Sequence, residues 1–384
     1  METIFTQKSK TPDCFRASTR WGWPAAPDFL LAFLIIIIFS AMTTLQPQSL
    51  TKEQKSRIDS LMSAYDSDTL PSASLAVMMG NKVVYKKSYG MADLETGKQA
   101  TSKTNYRLAS VSKQFTAASI ILLIEKKKLG YQTKLTEIFP EFPSCGEVIT
   151  VHHLLNHTSG LVDYEELIPD SVTIPVLDAD VLRIMKGVDS VYFKPGEKYQ
   201  YSNTAYALLA LAVEKYSRMK YPDFLKKYIF TPSGMKNTLA FVNGYNTVPD
   251  RAYGYSIRLD TARRTDQSVT SSVLGDGGIY SNIDDLTAWC QALNNGKLLT
   301  KKSWMLATSR KQLNDGSAVD YGYGWHLKTW RGMETVWHTG STIGFRNVLY
   351  RIPEKKLSVI ILTNRNSGTR EDSAEKILSI VMEE

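Results

Sequence analysis

Ser110-Val111-Ser112-Lys113, running into Gln114-Phe115-Thr116-Ala117-Ala118-Ser119-Ile120-Ile121-Leu122-Leu123-Ile124, is the stretch on which the reading of the fold turns. Residues three apart on a helix share a face, so this spacing sets a serine hydroxyl beside a lysine amine. A serine hydroxyl attacks a carbonyl only when a neighbour takes its proton. A lysine does so once burial or nearby charge brings its pKa down toward neutrality. Residues 114–124 are apolar or small on nearly every face, which predicts a helix buried all round and supplies that setting. Taken alone, Ser-x-x-Lys is a short pattern shared by many ordinary helix starts, and its meaning depends on the rest of the chain.

Working outward, a second segment is Phe193-Lys194-Pro195-Gly196-Glu197-Lys198-Tyr199-Gln200-Tyr201-Ser202-Asn203. Pro195-Gly196 marks a turn, and Tyr201-Ser202-Asn203 stands ahead of the helical run from Ala205 to Tyr216. A phenol beside the serine and lysine can pass a proton to a leaving group, and an amide can orient a substrate carbonyl. Ser202 or Asn203 also suits an ordinary N-cap. A third segment, Thr335-Val336-Trp337-His338-Thr339-Gly340-Ser341, reads as a strand of β-branched and aromatic residues running into a glycine. Such a strand can offer a backbone N–H to an oxyanion, and its glycine admits close backbone approach.

These segments, in this order, resemble the serine β-lactamase and penicillin-binding protein superfamily, and most nearly its class C β-lactamase-like branch. The family pattern of Ser-x-x-Lys, Tyr-x-Asn and Lys/His-Thr/Ser-Gly falls here on Ser110/Lys113, Tyr201/Asn203 and His338/Thr339/Gly340. Leu154-Leu155-Asn156-His157-Thr158-Ser159-Gly160-Leu161, Gly277-Gly278-Ile279-Tyr280-Ser281, Tyr323-Gly324-Trp325 and Gly344-Phe345-Arg346 extend the likeness over about residues 52 to 384. The resemblance implies that Ser110 becomes acylated, that Lys113 is its base, and that Tyr201 shares the proton and gives it to the leaving group. It implies a substrate contact for Asn203 and an oxyanion hole from the N–H groups of Ser110 and Ser341. Substrate binding then falls to Asn203, His338, Thr339, Gly340 and Ser341, with no metal or other cofactor.

The third motif opens on His338, where lactam-hydrolysing members of the family usually have lysine. Near its unperturbed pKa of ~6.5 a histidine is a weak, pH-dependent anchor for a substrate carboxylate. The expectation is therefore a serine hydrolase acting on a peptide, D-amino-acid amide or ester. A dedicated β-lactamase or D-Ala-D-Ala carboxypeptidase is the alternative within the family. A non-catalytic protein that binds cell-wall fragments is the alternative outside enzymology.

Other chemistries find little support. His153 and His157 have i, i+4 zinc-ligand spacing, but no His-Glu-x-x-His pattern or third ligand accompanies them. There is no Gly-x-Ser-x-Gly elbow and no phosphate-binding Gly-x-x-x-x-Gly-Lys-Ser/Thr loop. Glu125-Lys126-Lys127-Lys128 reads as a helix end before Gly130 in the C′ position. The net charge of +8 (46 basic against 38 acidic residues) is spread along the chain and gives no reason to expect nucleic acid as a partner. Cys145 and Cys290, with Cys14 near the start, do not form a disulfide framework.

Phe29 to Phe39 (FLLAFLIIIIF) is wholly apolar and short for a membrane span of about 20 residues. It reads as the core of an export signal, or as an uncleaved anchor behind a polar leader. The expected organisation is thus a leader over residues 1–45 and a catalytic unit over 46–384, exported to the periplasm, the medium or the outer side of the cytoplasmic membrane. Strand patterns lie at Ser74 to Met79, Lys82 to Lys86, and near 322–328, 334–340, 345–352 and 357–363, with helices at 52–65, 110–129 and Asp372 to Met382. The fold class is α+β: an antiparallel sheet built from both termini and flanked by helices. The α/β part covers about 46–130 and 251–384, and a mainly helical part, about 131–250, is inserted between them.

Overall fold

The strands predicted at the two ends of the chain do meet. In the computed structural model, which describes residues 49–259, 261–368 and 371–383, β1 (Ala73–Met79) and β2 (Lys82–Tyr89) come from the first third. β3 (His326–Trp330), β4 (Met333–Thr342), β5 (Phe345–Ile352) and β6 (Leu357–Thr363) come from the last. They form one six-stranded antiparallel sheet in the order β3-β4-β5-β6-β1-β2. The seam between the two ends is the β1–β6 pair, with Ala73 opposite Thr363 and Met79 opposite Leu357. Residues 1–48, which include Phe29 to Phe39 and Cys14, lie outside the described residues.

Alternation along the strands sorts their side chains into two cores. On one face Leu75, Val77, Val348, Tyr350, Val359 and Ile361 pack with Ile58 and Met62 of α1 (Lys52–Met62) and with Ile377 and Leu378 of the C-terminal helix Glu371–Val381. On the other, Ala76, Met78, Leu349, Ile360 and Leu362 join the larger core, which holds α2 (Lys113–Glu125), α3 (Asn203–Ser217) and α4 (Ile283–Asn294). The period-2 pattern is what a strand covered on both faces requires. Each large apolar side chain so buried contributes about 1.5–3 kcal/mol.

Between the halves of the sheet, residues 131–250 are mainly short helices, including Val151–Leu155 and Asp178–Met185 besides α3. The described residues belong to one compact unit, Pro47–Glu384.

Two local expectations change. The predicted helix at 110–129 is a 3-10 turn, Ala109–Ser112, followed by α2, which ends at Glu125. The left-handed residue after α2 is Lys127 (φ 56°), so Gly130 does not take the C′ role. Helix Val151–Leu155 stops before His157, whose φ is 60°, so His153 and His157 are not on successive turns of one helix.

Candidate active site

The 3-10 turn brings the serine and lysine together. At three residues per turn, side chains at i and i+3 eclipse. The Lys113 ammonium donates to Ser110 Oγ at 3.2 Å, to Asn203 Oδ1 at 2.8 Å and to the Asp276 carbonyl at 2.9 Å. Ala109, directly before the serine, is held at φ 49°, a strained position for a residue with a side chain.

Each partner of Lys113 has its own support. Asn203 opens α3 behind the N-cap Ser202, whose side chain accepts from Ala205 N. Ser202 is thus the N-cap, and the cap sets Asn203 against the Lys113 ammonium. The Asp276 carbonyl sits in a helical turn, Leu274–Gly277. That turn is fixed by Asp178, whose carboxylate accepts from Leu274 N at 2.8 Å and Gly275 N at 3.0 Å. The Asp276 carboxyl accepts from Tyr164 OH at 3.0 Å.

Tyr201 lies over the same centre, with the Lys113 ammonium 4.8 Å from its ring centroid. His157 packs against it, ring centroids 4.3 Å apart and the planes tilted by 34°, and accepts from Ser202 N at 3.1 Å. The segment around His157 thus positions the phenol. The Tyr201 hydroxyl is buried and unpartnered within hydrogen-bonding geometry, with Ser110 as the one side chain that eases its burial.

The protonation pattern follows from burial. Burial pushes Lys113 down to about 8, against the pull of Asp276, Asp163 and Glu165. Burial drives Tyr201 far above the ordinary phenol range, so it stays protonated. The amine is then the group able to take a proton near neutral pH, and the phenol the group able to give one.

His338, Thr339, Gly340 and Ser341 lie in succession on β4. Strand β3 begins at His326, opposite Trp337, so residues 338–342 of β4 extend past it with no β3 partner. That open edge is where an extended substrate can add its own backbone. Gly340 presses against the nucleophile turn: a Cβ there would fall 1.9 Å from Leu108 O and 3.3 Å from Ala109 Cβ. Only a glycine lets the strand reach the serine so closely. Ser341 is exposed beside it.

The role expected for His338 is corrected by the structure. Its ring is buried, its Nδ1 faces Thr339 O at 2.6 Å, and its Nε2 faces Tyr321 OH at 3.0 Å. Burial first, then His326 and Lys113, hold it well below the ordinary imidazole range. It is a neutral ring, with Nδ1–H donated to the carbonyl and Nε2 accepting from the phenol, and not a half-charged anchor at the cleft. His326, held at about 4 mainly by burial, packs 4.8 Å away.

Sequence reasoning passed over Asp163, Glu165 and Asp276. Asp163 accepts from Asn203 N at 3.1 Å. Glu165 is held above its ordinary value by burial and by Asp163, while Lys113 and the Asn203 side chain draw it down. The signal was present as Asp163-Tyr164-Glu165-Glu166, three acids directly after the matched loop. Nothing in the linear chain says that this loop closes over Asn203.

Comparison with known proteins gives the family and the fold. The Beta-lactamase family model matches residues 57–381. Penicillin-binding protein 4* of Bacillus subtilis (strain 168) is 36% identical over 313 residues, covering 77% of this chain and 68% of that protein. A D-aminopeptidase of Brucella anthropi is 29% identical over 330 residues, and the match takes in 81% of this chain but 59% of that relative's length. Among solved structures, an octameric penicillin-binding protein homologue from Pyrococcus abyssi superposes with a TM-score of 0.73 at 26% identity, over 86% of this chain and 77% of that one. A D-amino acid amidase from Ochrobactrum anthropi SV3 has the same fold, with a TM-score of 0.72 at 23% identity over 86% and 97% of the two chains. The family match spans residues 57–381, most of the chain, and the chain belongs to the Beta-lactamase family of serine hydrolases.

Proposed function

We propose that the protein hydrolyses an amide next to a free ammonium group, as in a D-amino-acid amide or a short peptide. Ser110 attacks the carbonyl while the Lys113 amine takes its proton. The oxyanion settles against the N–H groups of Ser110 and Ser341, and Tyr201 gives a proton to the departing nitrogen. Water then attacks the acyl-enzyme by the same proton route in reverse.

One observation supports this substrate class above the others: Glu165 stands exposed at the mouth of the site, yet interacts with both Lys113 and Asn203. Its carboxylate, with Asp163 behind it, offers a place for a substrate cation. The β4 position that would hold a lysine for a substrate carboxylate has a buried neutral histidine. The D configuration rests on the two relatives named for D-amino-acid substrates.

The test is hydrolysis of D-phenylalanine p-nitroanilide and its N-acetyl form. Glu165→Gln is expected to raise KM for the free amine at least about tenfold and to leave KM for the acetylated substrate unchanged, while any shift of Lys113 changes kcat for both alike. Equal effects on the two KM values would refute the ammonium site. Serine-dependent turnover of a chromogenic cephalosporin exceeding that of the amide would favour the lactamase alternative. A folded protein that no serine-reactive fluorophosphonate labels would favour a non-catalytic binder of cell-wall fragments. Export through residues 29–39 belongs to the same proposal. N-terminal sequencing of the native protein tests it, and an intact Met1 in a cytoplasmic fraction would overturn it.

A further inference from the structure

Arg351 is a buried charge without an ion pair among the described residues. It sits on β5 between Val336 of β4 and Ser358 of β6, and is 1% exposed. Its Nη2 donates to Asn294 Oδ1, and its Nε reaches Ser358 Oγ at 3.4 Å. Its Nη1 is buried with no hydrogen-bond partner. Among the described residues no carboxylate pairs with it. The side chain that acts on its charge is the Cys290 thiol, which burial keeps protonated and neutral. Buried guanidinium groups are ordinarily paired, because removing the charge from water is costly.

The arginine also lines a groove of about 390 Å³ between the end of α4, the sheet and α5 (Lys301–Ala307). The walls are Leu293, Leu298, Leu299 and the Trp304 ring, whose centroid is 5.5 Å from the guanidinium carbon. Lys301 and Lys356 stand exposed at the rim, and no acidic residue lines the groove. None of Ser110, Lys113, Tyr201 or Asn203 borders it. An apolar wall with a cationic floor and rim matches a ligand of the opposite pattern.

We infer that this groove binds a small amphipathic carboxylate, its head on Arg351 and its hydrocarbon body along Leu293, Leu298, Leu299 and Trp304. The site is separate from the catalytic centre and does not depend on which amide the enzyme cleaves. A carboxylate completes the hydrogen bonding of Nη1 and supplies the missing counter-charge. The apolar body covers leucine and indole surface that is otherwise wet.

Calorimetric titration of the full chain with decanoate, against decanol as the uncharged control, tests the assignment. The expected result is one equivalent of decanoate bound at least about tenfold more tightly than decanol. Arg351→Met keeps an apolar side chain of similar length; it should weaken decanoate at least about tenfold and leave decanol unchanged. Equal affinities for the two ligands, unaltered decanoate binding by Arg351→Met, or no binding to the folded chain would each overturn the inference. Should Arg351→Met fail to fold, Leu298→Glu at the half-buried rim gives a second reading. It sets a carboxylate in the groove and should abolish decanoate binding with the circular dichroism melt preserved. Decanoate binding retained by that folded variant would also overturn the site.

Discussion

Replacing Asp276 by Asn is expected to move the pH at which the enzyme switches on. Lys113 is brought to about 8 by burial, and Asp276 is the strongest charge pulling it back up. With a pKa of about 8, roughly one amine in ten is free at pH 7. A nearby opposite charge is worth about 1–3 units. Asp276 is itself raised to about 7, chiefly by burial, so it is only partly ionised near neutrality and the lower end applies. Removing it lowers Lys113 by about one unit, or about 1.4 kcal/mol. The free-amine fraction at pH 7 then rises roughly fivefold. Asparagine keeps an oxygen for the Tyr164 hydroxyl, and the carbonyl that receives the lysine is main chain, so the geometry is retained. The assay is kcat/KM for an amino-acid p-nitroanilide from pH 5.5 to 10, which reports the free enzyme. The rising limb should shift from about 8 toward about 7. An unmoved or upward-shifted limb would show that Lys113 is not the base or that Asp276 does not govern it.

Tyr201→Phe removes the proton donor and keeps the ring packed against His157, and should lower kcat by about 10²–10³ while leaving the melting temperature nearly unchanged. A Cβ at residue 340 would collide with Leu108 O at 1.9 Å, so Gly340→Ala must push the strand from the serine. A displacement near 1 Å costs about 10²-fold in kcat/KM, and fluorophosphonate labelling of Ser110 should slow in step. Ile361 faces α1 and the C-terminal helix, away from the catalytic side. Ile361→Ala should therefore cost about 2–5 kcal/mol in denaturant unfolding, with the pH profile of kcat/KM unchanged.

The sheet was legible because its strands carry their own signal. β5 and β6 fall at 345–352 and 357–363, where short runs rich in β-branched and aromatic residues predict them, since strands covered on both faces leave nearly continuous apolar runs in the chain. Helix α3 and its cap were likewise written in Ser202 and the run behind it. The 3-10 turn at 109–112 was not, because the same residues suit an α-helix start. The turn lies where Gly340 of β4, more than two hundred residues away, closes on Leu108 and Ala109.

By itself the sequence determined which atoms can do chemistry: a serine three residues before a lysine, a tyrosine two before an asparagine, and a glycine in a strand. Covalent spacing and helix periodicity are local, so they survive in a linear text. Only the tertiary structure decided the charge each group bears. Lys113 is poised near 8, and Tyr201 kept protonated, because both are buried. His338 is a neutral ring held between Thr339 O and Tyr321 OH. Glu165 reaches the site because its loop folds over Asn203. Burial and Coulomb interaction depend on distances between residues far apart in the chain, and those distances exist only once the two ends of the sheet have met.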